Sequence, residues 1–198
     1  LELVDGYGIS LLWKGADRDL APVVFMAHHD VVGAEASEWA HDPFAADIAD
    51  GAVYARGAVD TKCIWAGLLE AAERLLAEGF APPRDVYLFS SNTEEDGGDT
   101  TPHMVERLVE RGRVPYMVLD EGGAVIDNPP LGVKGQIAVV GVAEKGVFNA
   151  RIATSAEGGH AAMPSLEDAT AKLVSDLDAL QKNPPASKLS APVAAMLR

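Results

Sequence analysis

Short apolar runs alternate with helix-like patterns through residues 1–142. Runs rich in β-branched and large apolar side chains predict buried strands, whereas apolar positions at helical spacing predict helices. Strands and helices in alternation are typical of βαβ units, so we predict an α/β fold with a mostly parallel sheet and flanking helices. The predicted strands are residues 8–13, 23–26, the segment from Val53, 86–89 and 114–119.

Two helices are predicted between these strands. The first, at residues 62–78, has apolar side chains at helical spacing, and Gly79 follows as a stop signal. The second opens at Thr101-Pro102, a capping residue followed by a proline, and closes at Gly112. Both helices therefore have sequence signals at their ends as well as an apolar face.

The pattern changes after the Asp-Asn-Pro-Pro segment at residues 127–130. Alternating apolar and polar positions then indicate antiparallel strands with one face exposed to solvent. We therefore predict one domain at 1–142 and a smaller α+β domain at 143–198. The elements predicted after residue 130 are strands at 135–143 and 147–155 and a helix capped by Ser165 and Asp168.

The net charge and the cysteine count exclude several classes of function. The 198 residues have a formal net charge of −14, which argues against nucleic acid and anionic membrane surfaces as partners. The single cysteine, Cys63, excludes an internal disulfide framework and a cysteine-based zinc site. The sequence begins at Leu1 without Met, so we expect a fragment truncated at both ends, for which a missing signal peptide says little about the parent protein. We expect a cytoplasmic protein.

Clusters of acidic and histidine residues follow the apolar runs. Because ligands bind outside the carboxyl ends of parallel strands, we expect these clusters to converge on one edge of the sheet. Carboxylates brought together there would repel one another, and divalent metal ions are the simplest way to neutralise them. The clusters are His28-His29-Asp30, Asp60, Glu94-Glu95 and Asp120-Glu121.

His28 and Asp30 suit a metal ligand and its supporting carboxylate. Side chains at i and i+2 of an extended segment point the same way, so Asp30 could accept the second ring N–H of His28 and fix its tautomer. His29 would point to the opposite side. Asp60, at a Gly-containing turn before a helix, could bridge two cations or serve as a helix N-cap.

Glu94-Glu95 is the most informative pair. Adjacent carboxylates diverge, so one could ligate a metal while the other takes a proton from the attacking water, which is the division that metal-assisted hydrolysis needs. An exposed acidic loop is the alternative. Asp120-Glu121 repeats the pattern, and Asp120, the first residue after an apolar run, is the better candidate ligand.

Together these motifs resemble the M20 family of metallopeptidases, in particular the branch with carboxypeptidase S and the N-acyl-amino-acid hydrolases. The resemblance covers nearly the whole chain in order and spacing. The matching segments are residues 26–32, 39–44, 51–62, 94–98, 119–123, 144–146 and 158–164.

The resemblance implies a two-zinc hydrolase with a catalytic α/β domain and a lid domain that forms homodimers. His28 and Asp120 would hold one zinc and Glu95 the other, with Asp60 as the bridge. By the same resemblance Glu94 would be the general base and acid, Asp30 would orient His28, and His160 would contact substrate. The implied substrates are short peptides or N-acyl amino acids.

The chain also departs from the family pattern. The last zinc ligand of the family, a histidine, lies beyond Arg198, so we expect the fragment to be weakly active or inactive. Cys63 stands where the family has glycine, and Asp96 where it has an apolar residue. An M28-type aminopeptidase and a non-catalytic metal-binding or dimerisation paralogue are alternatives. Cobalt or manganese could replace zinc at mixed N/O ligands.

Overall fold

The computed structural model describes residues 1–129, 134–142, 146, 149–160, 162–163 and 168–196. Two compact units divide between Gly122 and Gly123. No helix in the described part of the chain is long and apolar enough to cross a membrane. In chain order the elements are β1 (Glu2–Val4), β2 (Gly8–Trp13), β3 (Val23–His28), β4 (Asp47–Ala49), β5 (Ala52–Tyr54), α1 (Cys63–Ala77), β6 (Val86–Ser91), α2 (Thr100–Glu110), β7 (Met117–Leu119), β8 (Ala124–Asp127), β9 (Gln136–Val139), α3 (Ala169–Lys182) and α4 (Ala191–Met196).

The first unit is built on a five-stranded sheet in the order β1-β2-β6-β3-β7. Strands β6, β3 and β7 are parallel, whereas β1 and β2 join the β6 side in antiparallel pairing. The predicted α/β class is confirmed, with a mixed sheet of three parallel and two antiparallel strands. His28 at the end of β3 pairs with Ser91 at the end of β6, so the loops after these strands emerge side by side.

The core lies between this sheet and α2. Alternate residues of β6 present Tyr87 and Phe89 to the same face, and their rings meet edge to face. Met104 and Leu108, one helical turn apart on α2, cover them from above. The two glycine stops are confirmed: the amides after Gly79 and Gly112 bond back to Leu75 and Leu108, and both glycines have positive φ.

Helix α1 packs more loosely than α2. Its predicted apolar side, which includes Ile64, Leu68 and Leu75, is only half-buried, and the helix has no fully buried residue. An apolar cavity of about 490 Å³ lies between α1 and the sheet, bounded by residues such as Phe25 and Val86. The helix nevertheless follows directly from the turn that carries Asp60.

One predicted strand takes a different role. The segment from Val53 forms β5, which pairs only with β4 in a separate antiparallel hairpin, so it is not a strand of the main sheet. Its residues are mostly exposed, whereas the strands of a parallel sheet are buried on both faces. Asp60 therefore lies not at a strand end but in an irregular helical turn, Ala58–Lys62, that leads into α1.

The second unit contains a hairpin and two helices. β9 pairs with β8, which the sequence interpretation missed, and the described residues 149–155 are not in a strand. The prediction that a strand at 135–143 pairs with one at 147–155 is therefore wrong, because the observed strand in the first of these segments pairs with β8. Asp168 caps α3 by accepting the Ala171 N–H at 2.7 Å, as predicted, whereas Ser165 lies outside the described residues. The domain boundary at 142/143 stays a prediction.

A buried carboxylate anchors the first unit. Asp85, which is 0% exposed, precedes β6 and accepts the Gly15 N–H at 2.9 Å and an Arg113 N–H at 3.0 Å. Arg18 lies 3.5 Å away and is exposed to solvent. These bonds tie the chain after β2 and the chain before β7 to the start of the central strand.

We predict that Asp85→Ala lowers the free energy of unfolding by about 1–3 kcal/mol, because the partly buried Arg113 guanidinium and the Gly15 N–H lose an acceptor. Asp19→Ala, an exposed aspartate from the neighbouring segment, should change it by less than about 0.5 kcal/mol. Urea unfolding measures both. Equal effects of the two substitutions would show that Asp85 is not an anchor.

Candidate metal centre

His28 forms the floor of the candidate site. It ends β3, is 1% exposed, and both ring nitrogens face acceptors. Nδ1 donates to the Asp30 carbonyl oxygen at 3.2 Å, and Nε2 donates to Asp60 Oδ1 at 3.0 Å. The ring can satisfy both contacts only with both nitrogens protonated, or with a cation in place of the Nε2 proton.

Asp30 joins His28 to the acidic loop after β6. Its Oδ1 lies 3.4 Å from His28 Nδ1, and its Oδ2 accepts the Glu95 N–H at 3.0 Å. Oδ1 is buried and has no hydrogen-bond partner in the described residues. One carboxylate therefore contacts a candidate ligand ring with one oxygen and fixes the backbone of a second candidate ligand with the other.

Carboxylates from three further segments surround His28 Nε2. Besides Asp60, Glu94 lies 3.8 Å and Glu121 lies 3.2 Å from this nitrogen. The His28 side chain is 2% exposed, whereas the three carboxylates around it are 26–68% exposed, so the cluster opens to solvent. Two sets of donor atoms lie close enough to share an ion: His28, Asp60 and Glu95, and His28, Glu94 and Glu121.

Asp120 was predicted to be a metal ligand, but it belongs to neither of these two groups of donor atoms. Its Oδ1 instead accepts the N–H of Glu121 at 2.9 Å, and the neighbouring Glu121 carboxylate lies beside His28. Sequence reasoning noted the Asp120-Glu121 pair but preferred its first member. Gly122 and Gly123, both with positive φ, turn the chain immediately afterwards. The order of Asp120 and Glu121 after β7 therefore does not by itself show which of the two side chains faces the site.

The electrostatics show the mutual repulsion expected of such a cluster. Burial alone would lower the pKa of His28, but the hydrogen bond to Asp60 and the charges of Glu121 and Glu94 raise this pKa above its ordinary value. Burial raises the pKa of Glu94 and the pKa of Glu121, and neighbouring carboxylates raise both further. The site thus favours a positive charge at its centre.

The remaining predicted residues lie elsewhere. His29 bonds Ser90 at 2.7 Å through Nδ1, away from the carboxylates, and burial lowers its pKa. Cys63 is exposed and donates to the Val59 carbonyl oxygen. His160 lies in the second unit on an exposed turn, where its Nδ1 accepts the Ala162 N–H at 3.1 Å, so a neutral ring carries its proton on Nε2.

The chain belongs to peptidase family M20/M25/M40, whose pattern it matches over residues 24–196. It is 33% identical over 193 residues to a probable carboxypeptidase S-like protein of Dictyostelium discoideum, covering 96% of this chain and 37% of that one. An N-fatty-acyl-amino acid synthase/hydrolase of Danio rerio is 37% identical over 184 residues, 92% of this chain and 36% of the relative. The chain therefore spans little more than a third of these relatives.

A solved structure supports the same assignment. An M20 family metallo-carboxypeptidase from Sulfolobus solfataricus superimposes with a TM-score of 0.53 at 27% identity, over 67% of this chain and 29% of that one. The predicted resemblance to the M20 family is confirmed by these comparisons. They match the chain as a whole and do not assign roles to single residues.

We predict that Asp30→Asn weakens zinc binding by about 10–100-fold, because it removes the negative charge that supports His28. Asp96→Asn, an exposed neighbour of Glu95 that removes the same charge from the same loop, should leave the affinity within about twofold. Isothermal titration calorimetry on both variants provides the comparison. If both variants lost zinc affinity equally, the effect would come from net charge and not from the support that Asp30 gives His28.

Proposed function

We propose that this chain forms part of the catalytic centre of a zinc-dependent hydrolase that cleaves amide bonds in short peptides or N-acyl amino acids. The observation that carries the proposal is the buried His28 ring, whose Nε2 faces carboxylates from separate segments of the chain. Family membership supports hydrolysis as the reaction class. The clustered charges support a cation site, as does Asp30 Oδ1, which is buried without a hydrogen-bond partner among the described residues.

The donor set fits zinc. One imidazole nitrogen and several carboxylate oxygens are ligands that Zn²⁺ accepts, and cobalt or manganese could substitute for it. In this proposal His28 and Asp120 would hold one ion and Glu95 a second, and Asp60 would be a ligand available to both. When bound, zinc would supply Lewis acidity, which polarises the scissile carbonyl and makes water a stronger acid.

Glu94 is the proposed general base. Its side chain is half-exposed and approaches the cluster from the open side, where water and substrate enter. It would take a proton from the attacking water and pass it to the leaving amine, while Asp30 holds the His28 ring in place. The neighbouring Glu95, whose N–H is fixed by Asp30, is better placed to stay as a ligand.

The names of the relatives narrow the substrate. The Danio rerio relative is named for N-fatty-acyl amino acids and the Dictyostelium discoideum relative for carboxypeptidase activity. Both names describe an amide bond next to a free carboxylate. His160, with Nε2 available to donate, is the proposed contact to the substrate carbonyl or carboxylate. We further propose that residues 143–198 belong to a lid domain that forms a homodimer and that the protein is cytoplasmic.

Two alternatives to the proposed function were left open by the sequence. Membership of the M20 family favours this reading over an M28-type aminopeptidase. A non-catalytic metal-binding or dimerisation paralogue needs no spare carboxylate at the site, and Glu94 is such a carboxylate. The expectation that the chain alone is weakly active or inactive stays a prediction.

We predict that, in a preparation with measurable N-acyl amino acid hydrolysis, Glu94→Gln lowers the rate about 10²–10⁴-fold while zinc still binds, because proton transfer is lost and the ligands remain. Glu106→Gln, an exposed glutamate on α2, serves as the control and should retain activity. Steady-state rates and zinc content are measured on the same samples. Unchanged activity in Glu94→Gln would rule out this residue as the base.

The fourth ligand has a separate test, because the motif favours Asp120 while Glu121 contacts His28 in the structure. We predict that Asp120→Asn reduces zinc affinity by about tenfold or more, whereas Glu121→Gln has the smaller effect. Competition with a chromogenic chelator measures both affinities. The reverse order would transfer the ligand role to Glu121.

A further inference from the structure

The loop that carries Glu94 and Glu95 is held by side-chain hydroxyl groups. At its start the Thr93 N–H donates to Ser91 Oγ at 3.2 Å. At its end the Thr100 N–H donates to Thr93 Oγ1 at 3.4 Å, and the Thr100 hydroxyl donates to Asn92 Oδ1 at 3.0 Å. Thr100 therefore closes the loop by bonding back to its first residues.

The same threonine belongs to the core. Thr100 is 2% exposed and is the first residue of α2. Its methyl group lies 2.3 Å from where a Cβ on Gly8 would be, and Met104 Cε lies 2.8 Å from that point, so both side chains pack directly on the backbone of β2. One side of Thr100 is thus fixed by the sheet, and the other side, its hydroxyl, points into the acidic loop.

Backbone contacts inside the loop depend on this closure. The Gly98 N–H donates to the Thr93 carbonyl oxygen at 2.8 Å, and the Gly97 N–H donates to the Glu94 carbonyl oxygen at 2.9 Å. Gly98 approaches the Thr93 side chain so closely that a Cβ would lie 2.6 Å from it. The direction in which Glu94 and Glu95 leave the backbone is therefore set by a compact turn anchored at Thr93.

We propose that Thr100 is a positioning residue for the metal centre: its buried hydroxyl holds Asn92, its backbone N–H holds Thr93, and the two bonds together fix the turn that presents Glu94 and Glu95. This inference rests on the proposed function, in which Glu95 is a zinc ligand and Glu94 the base. A carboxylate that is held in position before the ion binds loses little conformational entropy on binding. Loss of the hydroxyl should therefore weaken zinc binding.

Thr100→Val is the direct test, because valine keeps the branched shape that packs on Gly8 and removes only the hydroxyl. We expect zinc affinity to fall about tenfold, within the range seen when groups that orient metal ligands are removed. Amide hydrogen exchange at residues 93–98 of the metal-free protein should become faster. Thr100→Ser, which restores the hydroxyl, should return the affinity to within about twofold of the parent.

Met104→Leu controls for effects on the core, since Met104 is 1% exposed and packs on the same Gly8 backbone. It should leave zinc affinity and loop exchange unchanged. The proposal is overturned if Thr100→Val binds zinc as tightly as the parent, or if Met104→Leu loses as much. If the parent itself binds no zinc, the proposed function fails, and unchanged hydrogen exchange in Thr100→Val would separately overturn the role of Thr100.

Discussion

The hydrogen bond from the Glu95 N–H to the Asp30 carboxylate joins the chain ends that leave two neighbouring parallel strands. It fixes the backbone of Glu95, in the loop after β6, relative to His28. The second oxygen of the same carboxylate lies beside the His28 ring, so a single buried side chain relates a candidate nitrogen ligand to a candidate oxygen ligand. The geometry of the site follows from this one group, and the sheet register that pairs His28 with Ser91 makes it possible.

Much of the fold could be predicted because it is local. The strands at 8–13, 23–26 and 86–89 are continuous apolar runs, and the helix stops at Gly79 and Gly112 need only a few residues of sequence. The pairing of short strands could not be predicted in this way. β5 and β8 are only a few residues long and mostly exposed, so their partners are chosen by turns and neighbours and not by an apolar pattern.

The convergence of His28 and Glu94-Glu95 was predictable, because parallel strands and their loops meet at one edge of the sheet. Asp60 reaches the same site from an irregular turn before α1, so the strand argument does not account for its position. The position of Glu121 was not predictable either, since it depends on the backbone turn at Gly122-Gly123 after a three-residue strand. The hydroxyl contacts of Thr100 were missed for a different reason. A threonine at a helix start is expected for local capping, and sequence alone does not show that its side chain reaches back across the loop to Asn92.

The central claim is that His28 Nε2 binds a metal ion. The most direct test is a zinc titration followed by NMR of the histidine rings, of which the chain has five. The account predicts that the ring nitrogen signals of His28 shift at stoichiometric zinc, while those of His41 and His103 stay in place. Shifts confined to the other histidines, or no shift at all, would contradict a metal centre at the end of β3.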